Sequence, residues 1–418
     1  MNEIIYNQNG ITLWWGNTLD VLKKLPSESV DCIITSPPYF CLRNYGEETN
    51  TIWDGNFNCK HEWKIQTKKD PMDRGGTGTH DAPRDREGVK HGKKWEMKGF
   101  KSGFCKKCGA WYGQLGLEPT LDLYIDHLLQ IMQELKRVLK KTGVIFWNHG
   151  DCYGGSATGS LPNPNPNYKS IKTQKAEMEA QEAIKKGPEI FKKRYQKCLM
   201  LQNYRFILRC VDELGLILRN IIIWYKPNHM PSSVKDRFTN AYEPIFMLVK
   251  SKKYWFDLDA VRVPHKEVSI ERAKRGVSSN HKYVNLPHYG GGGGINKPRL
   301  NIKYLKKIGA VQHREDIDGI VVPLHPLGKN PGDLWEIPTQ PFKGSHFAVF
   351  PEKLVEPMIK AGCPKQGIVL DPFCGSGTTG VVAQKLGRKF IGIDLNKDYL
   401  TQIAIPRIEK ERTLFPVL

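Results

Sequence analysis

Residues 368–395, IVLDPFCGSGTTGVVAQKLGRKFIGIDL, decide the fold. An apolar strand at 368–370 leads into Gly375-Ser376-Gly377-Thr378-Thr379-Gly380, and a helix starts on the far side of the glycines. Glycines here permit a tight turn and let a ligand approach the backbone at a helix N-terminus, where N–H groups point outward. A second strand, KFIGID, follows the helix and ends in Asp394, nineteen residues beyond Gly375. An acid at that distance can bind the two hydroxyls of a ribose. Strand, glycine turn, helix, strand and acid read together as a βαβ unit of a parallel sheet that holds a ribonucleoside cofactor.

Only 24 residues follow Asp394, too few to complete a doubly wound sheet, so the missing strands must come from earlier in the chain. No basic residue lies inside the loop to meet a pyrophosphate. Asp371, Pro372 and Phe373 crowd its start with groups suited to a zwitterionic, sulfonium-bearing tail. These points favour S-adenosylmethionine over a nicotinamide dinucleotide.

The earlier chain supplies the strands. GITLWWGN (10–17) and SVDCIITSPPY (29–39) flank the short amphipathic TLDVLKKLP. In the segment 120–141, Leu121, Ile125, Leu128, Leu129, Met132, Leu135 and Leu139 recur at helical spacing; Thr120 is the expected N-cap and Gly143 the expected stop. A strand is expected over 143–151, and the helix-then-strand pattern repeats at 201–215 and 216–227. Between them, 161–170 reads as a linker and 176–187 as a solvated helix. Strands alternating with helices of this length predict an α/β fold with a mostly parallel sheet.

Two regions depart from this pattern. Residues 64–101 are glycine-rich and charged, with 11 basic residues against six acids, and read as an exposed insertion. Residues 235–330 carry 18 Lys/Arg against nine acids, scattered aromatics and five consecutive glycines, and read as a separate basic module. The whole chain of 418 residues has 63 Lys/Arg against 43 Asp/Glu, a formal charge of +20, which points to a polyanionic partner such as nucleic acid. There is no apolar run of the roughly 20 residues a spanning helix needs, so no membrane is expected. No secretory signal is visible, and ten cysteines set mostly in apolar segments fit a reducing cytoplasm.

Cys59-Lys60-His61 and Cys105-Lys106-Lys107-Cys108 flank the insertion. Cys59, His61, Cys105 and Cys108 would suit a closed tetrahedral zinc that pins the base of a segment lacking its own core. The lack of an H-x-E near the CxxC pair argues against zinc-catalysed deamination.

The remaining motif is Ser36-Pro37-Pro38-Tyr39, a proline-locked corner at the end of the strand 30–35. A nucleobase amine is a poor nucleophile because its lone pair is delocalised into the ring. Acceptors around its N–H bonds localise that lone pair toward a methyl donor, and a rigid corner holds such acceptors still. With SPPY first, a basic region next and Phe373-Cys374-Gly375-Ser376-Gly377 last, the chain resembles the amino-methylating DNA methyltransferases of the permuted β-type order. The resemblance covers nearly the whole chain apart from the insertion and the interior of the basic region.

It implies a Rossmann-like methyltransferase sheet built from both chain ends, with residues 1–57 and 114–227 as the catalytic half and 331–418 as the cofactor half. A basic insertion at 58–113 and a target-recognition region at 228–330 interrupt it. It further implies that Ser36 and the Pro37 carbonyl accept from the amine of a flipped base, on a corner completed by Pro38, and that Tyr39 stacks on that base. Asp394 would hold the ribose, and Asp371, Pro372, Phe373, Gly375, Ser376, Gly377 and Thr378 the methionine part. GDLWEIP (332–338) and SHFAVFPEKL (345–354), with His346, resemble the segment that closes over the methionine end. Family members commonly carry Gly-Asp where this chain has Gly16-Asn17, so the contact of Asn17 with adenine is a departure.

Ser at the first motif position is more typical of N4-cytosine methylation, and Asp or Asn of N6-adenine. The expected activity is therefore site-specific methylation of double-stranded DNA at cytosine N4, with adenine N6 as the alternative. An RNA or protein-glutamine methyltransferase and an inactive DNA-binding subunit are further readings. No nuclease motif is present, so any restriction endonuclease partner would be a separate protein. The chain itself is expected to be a monomer or homodimer.

Overall fold

The computed structural model describes residues 2–56, 58–69, 99–154, 197–275, 277–278, 312–314, 319–321, 324–340 and 349–414. β1 (Asn2–Gln8) and β2 (Ile11–Gly16) pair antiparallel, and α1 (Thr18–Lys24) follows, its first turn capped by Asn17. β3 (Val30–Thr35) is buried at every position, as expected of a strand covered on both faces. A four-stranded antiparallel sheet comes next, from β4 (Thr51–Trp53), β5 (Trp63–Lys69), β6 (Gly99–Cys105) and β7 (Trp111–Gly113), in the order β4-β7-β6-β5. The two ends of the expected insertion therefore pair as antiparallel strands, while its interior lies outside the described residues. Trp53 and Trp111 bury themselves in the same core as the next helix, α2 (Leu121–Val138).

Thr120 caps α2 as expected, accepting from the Leu123 N–H at 3.2 Å. Its end differs from the sequence reading: the helix stops at Val138, and Leu139 already opens β8 (Leu139–Asn148). Gly143 lies inside that strand. A Cβ there would sit 2.5 Å from the Leu139 side chain and 2.9 Å from the Asp31 carbonyl, so this glycine permits close strand packing rather than a helix stop.

α3 (Gln202–Asp212), β9 (Ile217–Tyr225) and β10 (Tyr242–Val249) continue the fold. The linker and solvated helix expected at 161–187 lie outside the described residues. A second compact unit, Asp257–Gly332, separates from the rest and carries α4 (Glu267–Arg275) with the short strands β11 (Val277–Ser278), β12 (Gln312–Arg314) and β13 (Gly319–Val321). The recognition region was expected from residue 228. Its first part instead belongs to the main sheet, because residues 244–249 of β10 are buried between β8 and β9.

The chain closes with β14 (Leu334–Glu336), α5 (Glu352–Gly362), β15 (Ile368–Asp371), α6 (Thr378–Lys385), β16 (Lys389–Asp394) and α7 (Ile405–Leu414). The nine-stranded sheet runs β1-β2-β16-β15-β3-β8-β10-β9-β14. Its β2-β16-β15-β3-β8 run and the β9-β14 pair are parallel, and the other pairs are antiparallel. The two C-terminal strands β16 and β15 thus slot between the N-terminal β2 and β3. One core packs α1, α2 and α3 on one face, and a second packs α5, α6 and α7 on the other. All ten cysteines are free thiols, and among the described residues no helix is long and apolar enough to cross a membrane.

Candidate active site

β3 and β15 lie side by side in parallel, with Leu370 opposite Ile33, so the proline corner and the glycine loop leave the sheet at the same edge. Open α/β sheets bind ligands at that carboxyl edge. Two contacts join chain ends more than 330 residues apart. Thr35 Oγ1 donates to Asp371 Oδ1 at 2.7 Å, and Thr18 Oγ1 donates to the Pro372 carbonyl at 2.6 Å. Thr379 Oγ1 holds the other Asp371 oxygen at 2.6 Å. Burial nevertheless pushes the Asp371 carboxyl up to about 6.

Asp394 fastens the loop from the far strand. Its Oδ2 accepts from the Gly375 N–H and its Oδ1 from the Asn396 N–H, both at 2.8 Å. Each oxygen keeps lone-pair capacity for a hydroxyl donor. Burial raises this carboxyl to about 6 as well. Beneath the loop, Arg407 donates to the Ser376 carbonyl at 2.7 Å and to the Ser376 and Thr378 hydroxyls at 3.1 Å.

The corner opposite is held by aromatic and polar neighbours. Tyr124 OH donates to the Pro38 carbonyl at 2.7 Å and meets His149 Nε2 at 3.2 Å, while Trp147 Nε1 donates to His149 Nδ1 at 3.4 Å. Burial drives His149 down to about 3, so the ring is neutral; with Nδ1 accepting, its proton is on Nε2 and points to Tyr124. The Tyr39 ring lies 5.1 Å from the His149 ring, and a Cβ on Gly150 would approach Tyr39 Cε2 to 2.8 Å. A Cβ on Gly116, at φ +94°, would come within 2.9 Å of the Tyr39 carbonyl oxygen. The Gly116 N–H is held by the buried Glu118, which pairs with His127 at 2.9 Å. The Tyr39 hydroxyl contacts Ser36 Oγ at 3.2 Å and donates to Glu243 Oε2 at 3.1 Å. Lys226 forms an ion pair with the other Glu243 oxygen.

A cleft of about 810 Å³ runs between the two halves. Ser36, Pro37, Pro38 and Tyr39 line one side; Asp371, Phe373, Gly375, Ser376, Thr378 and Asp394 line the other, with Asn17 also at the wall. Pro372 and Gly377 do not line it. Gly377, at φ +75°, instead lets the loop close on Ala404, which a Cβ would approach to 2.8 Å. The Asn17 side-chain oxygen is engaged in capping α1, accepting from the Asp20 N–H at 3.2 Å. His346 lies outside the described residues, and the GDLWEIP stretch forms the edge strand β14. The sequence reading missed Glu243, Lys226, Asn148 and Tyr124, which also build the site. The available signal was faint: a single glutamate before Pro244 at the head of an apolar strand.

A second cluster gathers Cys59, His61, Cys105 and Cys108, whose ligand atoms all lie within 4.8 Å of one another. Cys59 and Cys105 sulfurs are 3.9 Å apart, and Cys108 Sγ is 3.4 Å from His61 Nδ1. A tetrahedral zinc with its usual bond lengths spaces two sulfurs about 3.8 Å apart and sulfur from nitrogen about 3.5 Å, so the donor set fits that metal.

Comparison with known proteins places the chain in a family. Residues 30–405 match the N6_N4_Mtase family, described as DNA methylase. The type II methyltransferase M.Cfr9I of Citrobacter freundii is 30% identical over 97% of this chain and 90% of its own length. M.SfiI of Streptomyces fimbriatus is 28% identical over 94% of this chain and 90% of its own. Among solved structures, the PvuII DNA methyltransferase (cytosine-N4-specific) aligns over 98% of this chain and 94% of its own, at 16% identity and a TM-score of 0.44. With its family matched across both motifs and everything between them, the chain is a member of the N6_N4 DNA methylases.

Proposed function

We propose that this chain is a site-specific type II DNA methyltransferase that moves a methyl group from S-adenosylmethionine to the exocyclic amine of a flipped base, cytosine N4 rather than adenine N6. The observation that carries this reading is the single cleft shared by the Ser36–Tyr39 corner and the Asp371–Asp394 loop. A donor on the loop and an acceptor base on the corner would meet there without either leaving its wall. The type II relatives support DNA as the substrate and site-specificity as the mode.

In this reading Asp394 accepts from the ribose hydroxyls, and the loop from Asp371 to Thr378 shapes the pocket for the amino-acid tail. Bound S-adenosylmethionine supplies an electrophilic methyl group. Ser36 and the Pro37 carbonyl accept from the target amine, localising its lone pair toward that methyl. Tyr39 offers a stacking face that offsets part of the cost of flipping, roughly 1–3 kcal/mol per base. Ser36 favours cytosine, since serine heads the motif more often in N4 enzymes. Nucleoside mass spectrometry of DNA from cells expressing the chain decides the base: N4-methylcytosine supports this choice, and N6-methyladenine reverses it.

The Cys59, His61, Cys105 and Cys108 cluster is proposed to hold a structural zinc. The ion would tie β5 and β6 to the 105–109 turn, a region whose strands lack a core of their own. Metal analysis of purified protein should return one zinc per chain; well under one contradicts the assignment.

A further inference from the structure

We infer that Glu243 is a positioning residue: it fixes the direction of a hydrogen-bond chain that ends at Ser36 and so keeps the Ser36 hydroxyl an acceptor for the target amine. The inference rests on the amino-methyl transfer proposed above and deepens it.

Direction follows from what each group can give. Glu243, ion-paired to Lys226, is a carboxylate with no proton to donate, and its Oε2 lies 3.1 Å from the Tyr39 oxygen. The Tyr39 proton must therefore point to Glu243. A second neighbour agrees. Asn148 Nδ2 donates to the Pro244 carbonyl at 3.2 Å, which turns its Oδ1 toward the Tyr39 hydroxyl at 3.5 Å. Both groups facing the phenol from β8 and β10 are acceptors. Burial and the charge of Glu243 hold the phenol well above its ordinary pKa, so it stays a neutral donor.

With its one proton spent, the Tyr39 oxygen can only accept from Ser36 Oγ, 3.2 Å away. The Ser36 proton is thereby used inside the protein, and its lone pairs are left for the cleft that it lines. An exocyclic amine presents N–H groups, so a lone pair attracts it and a hydroxyl proton would repel it. Lys226, seated over the Trp224 ring at 4.2 Å from its centroid, anchors the far end of the chain. Serine can donate or accept, and Glu243 removes that ambiguity.

The test compares Glu243→Gln, Glu243→Asp, Tyr39→Phe and the double variant Glu243→Gln/Tyr39→Phe, using S-adenosylmethionine and duplex DNA that the parent protein methylates. Glu243→Gln preserves side-chain size, but with Lys226 on the amide oxygen it turns an amide N–H toward Tyr39 and frees the chain to reverse. The kcat of this variant should fall roughly 10- to 100-fold, the worth of a hydrogen bond to a charged group, with KM for S-adenosylmethionine unchanged. Glu243→Asp, shorter but still acceptor-only, should retain more kcat than Glu243→Gln. In the Tyr39→Phe background the link is already cut, so adding Glu243→Gln should cost no more than about twofold. Three results would overturn the inference: equal losses in both backgrounds, an unchanged kcat for Glu243→Gln, or a Glu243→Gln variant faster than Glu243→Asp. A parent protein that methylates no DNA would sink the underlying reading, and this one with it.

Discussion

Ser36 and Asp394 carry different halves of the proposed reaction, and single substitutions should separate them. Ser36→Ala removes an acceptor that matters in the transition state, so kcat should fall roughly 10²-fold while cofactor affinity is unchanged. Equilibrium binding of S-adenosylmethionine beside steady-state turnover checks this; an unchanged rate would remove Ser36 from the chemistry. Asp394 should show itself through pH. Its free carboxyl titrates near 6, and ribose hydroxyls donate to the ionised form. Binding therefore favours the deprotonated state, so affinity should be flat above about pH 6.5 and weaken by up to about tenfold per unit below 6. Calorimetric titration across pH 5 to 8 measures it, and Asp394→Asn should reduce the dependence to the share carried by Asp371, which burial also raises to about 6. Both positions could be picked out in the sequence because each sits at a fixed place in a motif, and both line the cleft. Glu243 was not, since its role arises from β10 lying next to β8, a pairing that no local pattern announces.

At the scale of elements, the glycine loop and α2 could be read directly, because apolar spacing and caps are local signals. The end of α2 was misread because Gly143 looks like a helix stop, whereas its lack of a side chain serves the approach of β3 to β8. β10 was hidden differently: its buried residues from Pro244 to Val249 sit in a long window where Lys and Arg outnumber acids two to one. Gly116 shows how tightly the corner is built. Gly116→Ala places a methyl group 2.9 Å from the Tyr39 carbonyl at a φ of +94° and should cost about 1–3 kcal/mol in chemical denaturation. The proposed zinc site predicts that Cys105→Ser and strong chelators lower Tm, with the chelator effect confined to the wild-type site; a chelator that leaves Tm unchanged speaks against a structural metal.

For the whole molecule, the order of motifs along the chain foretold a sheet assembled from both ends. Thr18 and Thr35 now show how those ends are joined, through the Pro372 carbonyl and the Asp371 carboxylate. The boundary of the basic unit was less legible, because charge density follows surface and not chain topology. A formal charge of +20 predicts DNA affinity that falls steeply with salt, by roughly 10³-fold between 50 and 200 mM if about six phosphates are neutralised. Filter binding to duplexes of unrelated sequence measures that slope, and a flat response would argue against backbone contacts. Base identity stays the least legible property, since the same acceptors can hold either amine. The most direct test of the account is methyl transfer itself: purified protein, radiolabelled S-adenosylmethionine, and duplex DNA, RNA or protein as acceptor. Label in duplex DNA at one recurring sequence, recovered as N4-methylcytosine, is the predicted result; no label in DNA, or label in RNA or protein instead, would contradict it.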